Sequence, residues 1–194
     1  MHQAELPPDQ PALDAGRLNG RTLEAISAEP SPRTRSYSWD DPAIAAAAAR
    51  QQDGMAFLQG ILEGTLPAPP IARALDFAPV SVEPGTVVFE FTPAEFHYNP
   101  IGSVHGGMIS TLCDSACGCA VQSLLPAGTY YTSLDLSVKF LRAVGSGAGR
   151  LTCTGTVTHL GGRSALAEAR LTGSDGKLYA FATSSCMIFR PAAG

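Results

Sequence analysis

Charged residues are scarce in this 194-residue chain, and neither sign is in strong excess. Lysine, arginine, aspartate and glutamate make up 15% of the residues, hydrophobic residues make up 45%, and the formal net charge is −4. A nearly neutral chain offers no electrostatic basis for binding nucleic acid or an anionic membrane. An apolar chain with so few charges is expected to bury much of its surface, which favours a homo-oligomer.

Long apolar runs and metal-binding patterns are also lacking. No run reaches the roughly 20 apolar residues that a membrane-spanning helix requires, and no hydrophobic signal segment is visible near residue 1. Free cysteines usually behave as small buried hydrophobes. Because none forms a Cys-x-x-Cys pair, we expect them in the core of a cytoplasmic protein without a metal or a redox cofactor. The cysteines are Cys113, Cys117, Cys119, Cys153 and Cys186.

The composition divides the chain into three segments. Residues 1–40 are rich in proline and polar residues without periodicity, which predicts a flexible N-terminal tail. Residues 41–66 are predicted to be helical, since Asp41 and Pro42 form a helix start and an alanine-rich stretch follows. Gly54 can divide this segment into two helices. Residues 67–194 are predicted to form the main domain, which a proline-rich connector precedes.

The main domain shows the pattern of an α+β fold. A long apolar helix separates two predicted strands from about four later ones, and no β-α-β alternation is present. This order predicts an antiparallel sheet covered by one central helix, with an N-terminal helical extension. The helix is predicted over residues 104–125, and the strands over residues 77–82, 87–91, 130–141, 150–160, 163–172 and 178–189.

The helix carries an unusual acid. Gly107, Thr111, Asp114 and Gly118 are spaced by three or four residues and so share one face of small side chains, where a ligand or another chain can approach. No lysine or arginine lies between residues 73 and 139 to neutralise Asp114. A carboxylate in such a setting suits a general base or a nucleophile. On the helix pattern alone, an ordinary surface aspartate is equally compatible.

The sequence His105-Gly106-Gly107 lies where this helix begins. Free backbone N–H groups and the positive end of the helix dipole are available there to an oxyanion. Glycine also allows a carbonyl oxygen to come close to the backbone. On its own, this tripeptide is equally typical of a simple loop-to-helix turn. Its combination with an Asn-Pro-x-Gly entry loop and a later acid is more specific.

These motifs resemble those of PaaI-type acyl-CoA thioesterases of the hotdog-fold superfamily. The resemblance extends from about Met55 to Phe189. It is carried by Asn99-Pro-Ile-Gly-Ser-Val-His105-Gly-Gly with Asp114, by Ile71-Ala-Arg-Ala-Leu, by the segment from Tyr131 to Arg142, and by His159-Leu-Gly-Gly-Arg163. The resemblance implies an antiparallel sheet wrapped around one long helix, and hydrolysis of an acyl-CoA thioester to a free acid and CoA.

The resemblance also implies a role for each motif residue. Asp114 matches the catalytic general base or nucleophile, and the backbone N–H of Gly106 matches the donor that polarises the thioester carbonyl. His105 and Asn99 match groups that orient the thioester, and Ser133 matches a hydroxyl that positions water. One subunit is expected to supply Asn99, His105 and Gly106 while the other supplies Asp114 and Ser133. A dimer with shared sites, and a tetramer built from two dimers, are therefore expected.

Further substrate contacts are expected from the helix face and from basic residues. Gly107 and Thr111 lie on the small-residue face that the substrate would approach. Arg163 is the first candidate for binding the phosphates of CoA, and Lys139 and Arg142 come next. Each of the three is equally compatible with an ordinary charge at a strand edge. Two alternatives stay open: a hotdog dehydratase or hydratase, and a non-catalytic acyl-CoA-binding protein. The acyl group is not predicted, and core packing is favoured over pocket lining for Phe57, Leu58, Leu62 and Met108.

Overall fold

The computed structural model describes residues 17–18, 21–22 and 32–190. The chain divides into two units, Met1–Arg35 and Ser36–Gly194. In the first unit, the short strands β1 (Arg17–Leu18) and β2 (Arg21–Thr22) pair in antiparallel orientation. Most of the predicted tail, residues 1–40, lies outside the described residues.

The second unit begins with three helices, of which the sequence predicted two. Asp41 and Asp53 cap the first two by accepting hydrogen bonds from backbone N–H groups, and the second ends at Gly64 in the left-handed conformation. The third was expected to be a connector. Pro70 does not prevent this helix, because a residue in the first turn needs no N–H. The helices are α1 (Pro42–Gln51), α2 (Gly54–Glu63) and α3 (Pro70–Leu75).

Seven strands of this unit form one antiparallel sheet, as expected for the α+β prediction. The strands are β3 (Phe77–Glu83), β4 (Thr86–Phe91), β5 (Tyr130–Ser133), β6 (Ser137–Phe140), β7 (Leu151–Leu160), β8 (Ser164–Gly173) and β9 (Leu178–Phe189). Their order is β3-β4-β7-β8-β9-β5, and β6 pairs with another part of β9. Alternate positions are buried on β4, β8, β9 and the first half of β7, which is typical of a sheet with one covered face.

The predicted strand over residues 130–141 was wrong as a single element. It is two strands, because the register against β9 shifts by one residue between Ser133, which pairs with Cys186, and Ser137, which pairs with Thr183. The Asp135 carboxylate accepts a hydrogen bond from the Ser185 N–H at 3.1 Å, and its carbonyl accepts one from the Ser184 hydroxyl at 2.8 Å. These bonds satisfy polar groups of β9 at the point between β5 and β6 where the regular pairing with β9 is interrupted.

The long helix α4 (Gly106–Gln122) packs across the covered face of the sheet. It is shorter than predicted at both ends, since His105 caps its start and Ser123 its end. Alanines on β8 and β9 face the helix, and their small side chains allow a close approach. At Gly155 on β7 the approach is closest, because a Cβ there would overlap the carbonyl of Ala116. Among the described residues, no helix is long and apolar enough to cross a membrane.

The five cysteines are free, and four of them are completely buried, which confirms their expected place in the core. Burial raises the pKa of Cys117 and the pKa of Cys119 to about 12. These two thiols are therefore neutral at physiological pH, and they contribute to packing as small apolar side chains.

Candidate functional site

The start of helix α4 presents one unoccupied backbone donor. The ring Nδ1 of His105 accepts a hydrogen bond from the Gly107 N–H at 2.9 Å, and the His105 carbonyl accepts one from the Met108 N–H at 3.0 Å. Within the described residues, the Gly106 N–H has no such acceptor. It is the first N–H of the helix and points out from the positive end of the dipole, so an oxygen with developing negative charge can bind to it.

The bond at Nδ1 also determines what His105 can do. Since this nitrogen accepts a hydrogen bond from the Gly107 N–H, the neutral ring carries its own proton on Nε2. The His105 side chain is exposed, and its backbone N–H is anchored by the His97 carbonyl at 2.8 Å. His105 is therefore a fixed helix cap that offers one N–H donor to a ligand.

Asn99 organises the loop that leads into the helix. Its side-chain oxygen accepts hydrogen bonds from the N–H groups of Ile101 and Ser103, at 3.1 and 3.2 Å, and its amide nitrogen donates to the Ser103 hydroxyl at 3.0 Å. Asn99 and Gly106 line the same open cavity of about 320 Å³. The structure thus brings Asn99 and Gly106 to one cavity, whereas His105, the third residue predicted at the carbonyl end of the thioester, does not line it.

The predicted acid and its predicted hydroxyl partner are in direct contact. The Ser133 hydroxyl on β5 donates a hydrogen bond to Asp114 Oδ1 on α4 at 2.9 Å. Both residues line an open groove of about 330 Å³, together with Thr111 and Asp135. Ser133 faces the helix because it pairs with the buried Cys186 in the sheet. The structure therefore places a carboxylate and a hydroxyl side by side at an accessible surface.

The two groups of predicted site residues lie far apart within one chain. Gly106 and Asp114 are separated by eight residues of the same helix, which corresponds to about 12 Å along its axis. A carbonyl bound at the Gly106 N–H therefore lies beyond the reach of the Asp114 carboxylate of the same chain. Each chain has both halves of the predicted site, but no single chain brings them together.

Asp114 also lies at the edge of a second, apolar cavity of about 190 Å³. Ser115, Cys119 and Tyr131 line it beside Asp114. Burial raises the pKa of Tyr131 well above its usual range and raises the pKa of Cys119 to about 12, so both side chains are uncharged. The remaining lining residues are Leu58, Ile61, Ala68, Pro69, Ala72, Phe77, Pro79, Val87 and Phe89.

The small-residue face of the helix is only partly open. Gly107 is exposed and Thr111 and Asp114 are half-buried, so a ligand can approach this half. Gly118, by contrast, is buried beneath the Tyr131 ring, and a Cβ at Gly118 would overlap the Tyr131 hydroxyl. The glycine at the far end of this face thus has a packing role within the chain, which spacing alone does not reveal.

The three basic candidates lie in different surroundings. Arg142 lines the cavity that contains Gly106, and its Nη1 donates a hydrogen bond to the Leu178 carbonyl at 2.9 Å. Lys139 is exposed on the outer face of β6, since its neighbour Phe140 lies over Gly106 on the inner face. Arg163 is exposed in the turn between β7 and β8. Of the three, only Arg142 lies beside a predicted catalytic residue within one chain.

Sequence reasoning missed several residues that surround Asp114. Asp135 lines the open groove, and Tyr131 and Phe89 line the apolar cavity. Of the four apolar residues considered for an acyl pocket, only Leu58 lines this cavity. Tyr131 belongs to a quoted motif, but its position over α4 depends on strand pairing. Within the described residues, no group of three or more potential ligands is placed to hold a metal ion.

Comparison with known proteins gives a family context for this site. Residues 101–180 match the family model of the thioesterase superfamily. A phenylacetic acid degradation-related protein from Ralstonia eutropha JMP134 is 28% identical, covering 67% of this chain and 98% of its own, with a TM-score of 0.61. The E. coli PaaI protein from the phenylacetic acid degradation operon is 24% identical, covering 62% of this chain and 85% of its own, with a TM-score of 0.58.

A hypothetical thioesterase from Streptococcus pneumoniae TIGR4, in a structure with coenzyme A, is also similar. It is 25% identical, covering 60% of this chain and 88% of its own, with a TM-score of 0.54. No curated protein sequence matches this chain. The family match, the Ralstonia eutropha protein and the E. coli PaaI protein confirm the predicted resemblance to PaaI-type thioesterases and the hotdog fold.

Proposed function

We propose that this protein is an acyl-CoA thioesterase that hydrolyses its substrate to a carboxylic acid and CoA, at sites shared by two chains. The main support is the contact between Asp114 and Ser133 at the edge of both an open groove and an apolar cavity. In the proposed dimer, one chain supplies this pair. Its partner supplies a second copy of Asn99, His105 and the Gly106 N–H.

In the general-base route, Asp114 takes a proton from water while the water oxygen attacks the thioester carbonyl. Ser133 donates a hydrogen bond to Asp114, so the lone pairs of its own oxygen are free to accept a hydrogen bond from that water. The carbonyl oxygen becomes an oxyanion, which the Gly106 N–H stabilises. The C–S bond then breaks, the thiolate leaves, and the proton held by Asp114 neutralises it.

In the nucleophilic route, a carboxylate oxygen of Asp114 attacks the carbonyl carbon directly. The C–S bond breaks to release the CoA thiolate and leaves a mixed anhydride between Asp114 and the acyl group. Water then hydrolyses the anhydride to regenerate the carboxylate. Both routes use the same oxyanion donor, but Ser133 matters more in the general-base route, where it positions the attacking water.

The second half of the site would orient the thioester. His105 offers its Nε2–H to the thioester or to the departing thiolate, because its Nδ1 is occupied by Gly107. Asn99 shapes the loop and keeps one amide hydrogen available to the shared cavity. Arg142 lines that cavity, and its guanidinium can bind a phosphate group of the ligand. Bound coenzyme A in the Streptococcus pneumoniae thioesterase supports CoA as the carrier of the acyl group.

A complementation experiment tests the shared site. One chain carries Gly106→Pro, which removes the N–H, and the other carries Asp114→Asn, which removes the base. A purified heterodimer of the two has one intact shared site, so it should show about half of the wild-type kcat, while each mutant homodimer loses about 10² or more. Free CoA is measured with a thiol reagent. An inactive heterodimer with wild-type dimerisation would contradict the shared site.

The rival function is acyl-CoA binding without hydrolysis. It predicts saturable binding of acyl-CoA with no thiol release from any thioester offered. A carboxylate in contact with a hydroxyl at the groove argues against this rival, because binding alone needs no base there. For a dehydratase or hydratase, the product would be an enoyl or hydroxyacyl thioester, and thiol release would again be absent.

A further inference from the structure

The apolar cavity beside Asp114 has one wall outside the residues that match the thioesterase superfamily model. Leu58 and Ile61 belong to α2, and Ala72 belongs to α3. These helices precede residues 101–180, which are the residues that match the thioesterase superfamily model. The opposite wall, around Asp114, lies on α4 inside the matched region. The size of the cavity therefore depends on a part of the chain that is outside that match.

The chemistry of the cavity fits an apolar group with its reactive end at Asp114. Asp114 is the only charged side chain among the lining residues, since the Tyr131 phenol and the Cys119 thiol are neutral. The Asp114 carboxylate also faces the open groove, from which a thioester can enter. A substrate with its carbonyl at Asp114 would therefore place its apolar end against α2.

The volume limits the size of that group. The cavity measures about 190 Å³. For comparison, an engineered apolar cavity of roughly 150 Å³ in another protein holds one benzene molecule. A single six-membered ring or a short alkyl chain thus fills the space, whereas a long fatty chain exceeds it.

We infer that Leu58 and Ile61 of α2 set an upper size limit for the acyl group, close to one six-membered ring. This inference rests on the proposed function, because the group that enters the cavity is an acyl group only if the protein acts on acyl-CoA. The two side chains are three residues apart and share one face of α2, which is the face that closes the cavity. Leu58 is buried, at 5% exposure, so its terminal carbons have little room to move away from a longer group.

The size limit predicts a break in activity along a substrate series. Each methylene group that enters the cavity should raise kcat/KM about fourfold, which is 0.8 kcal/mol at 1.36 kcal/mol per tenfold. The rise should stop when the cavity is full, and longer groups should gain nothing or lose activity. A suitable series is butanoyl-, hexanoyl-, octanoyl- and dodecanoyl-CoA, with benzoyl- and cyclohexanecarbonyl-CoA as ring-sized members.

Two substitutions should move this break in opposite directions. Leu58→Ala removes three carbon atoms from the wall and should shift the optimum toward longer chains, with octanoyl-CoA gaining about tenfold relative to butanoyl-CoA. Ile61→Trp adds bulk and should shift the optimum toward shorter chains. Leu62→Ala and Leu62→Trp are the matched controls, because Leu62 lies on the same helix, is exposed and does not line the cavity.

Binding to the Asp114→Asn protein separates the size limit from catalysis. The dissociation constants of the same CoA esters, measured by calorimetry, should show the same break and the same shifts. A profile that is identical in wild type, Leu58→Ala and Ile61→Trp would overturn the inference and leave the thioesterase function intact. A different outcome would be that wild type releases no thiol while the two substitutions still shift the size limit in the binding series. That outcome would overturn the thioesterase function but retain the size limit.

Discussion

The Gly106 N–H can be removed with unusually little disturbance of the backbone. Proline has no N–H, and it is favoured at the first position of a helix, which is where Gly106 lies. The residue before a proline must be extended, and His105 already has φ −62° and ψ 135°. Gly106→Pro therefore deletes one hydrogen-bond donor while the helix start keeps its conformation.

The matched control is Gly106→Ala, which keeps the N–H. A Cβ at this position would lie 3.1 Å from the Phe140 ring, so both variants require the ring to move by a few tenths of an ångström. The cost of the added carbon is thus common to the two variants. Any further loss of kcat in the proline variant therefore measures the contribution of the N–H, apart from a small effect of the other carbon atoms of the proline ring.

The expected loss follows from oxyanion stabilisation. Removing one such donor costs about 10²–10³ in kcat, or roughly 2.7–4 kcal/mol, in other acyl-transfer enzymes. We expect Gly106→Pro to lose this factor relative to Gly106→Ala, with a smaller change in KM, because the donor acts mainly on the transition state. Thiol release from an acyl-CoA measures the effect, and thermal unfolding confirms that both variants fold. Equal kcat values in the two folded variants would refute the oxyanion role.

Asp114→Asn should lower kcat by at least about 10², since a positioned general base contributes roughly 10²–10⁴. Ser133→Ala should lower kcat by about tenfold if Asp114 acts as a general base. Stopped thiol-release assays measure both effects. Gly118→Ala should lower the melting temperature, because overpacking against Tyr131 costs about 1–3 kcal/mol and exceeds the gain in helix propensity. The double variant with Tyr131→Phe should recover part of that loss. In the folded protein at pH 8, alkylation of Cys119 by iodoacetamide should be very slow, because a pKa of about 12 leaves a thiolate fraction of roughly 10⁻⁴; rapid labelling in mass spectra would contradict its burial.

Local features of the sequence were sufficient for most of the architecture. Hydrophobic periodicity predicted α4, and alternation with turn residues predicted most strands, because these signals depend on neighbours along the chain. The break at Asp135 was missed because it is a shift in the pairing with β9, where Asp135 bonds to Ser185, fifty residues away. Helix α3 was missed because Pro67, Pro69 and Pro70 resembled a connector, although Pro70 falls at a position that tolerates proline.

The candidate site likewise has features that the sequence determined and features that only the tertiary structure decided. The chain itself determined which residues have suitable chemistry: a helix start with a free N–H at Gly106, and an acid inside an apolar helix at Asp114. Strand pairing alone decided that Ser133 reaches Asp114 and that Tyr131 covers Gly118. Packing of α2, α3, β3 and β4 decided that Asp114 borders an apolar cavity. Such contacts join residues that are distant in sequence, and their distances depend on how the sheet and helices pack together.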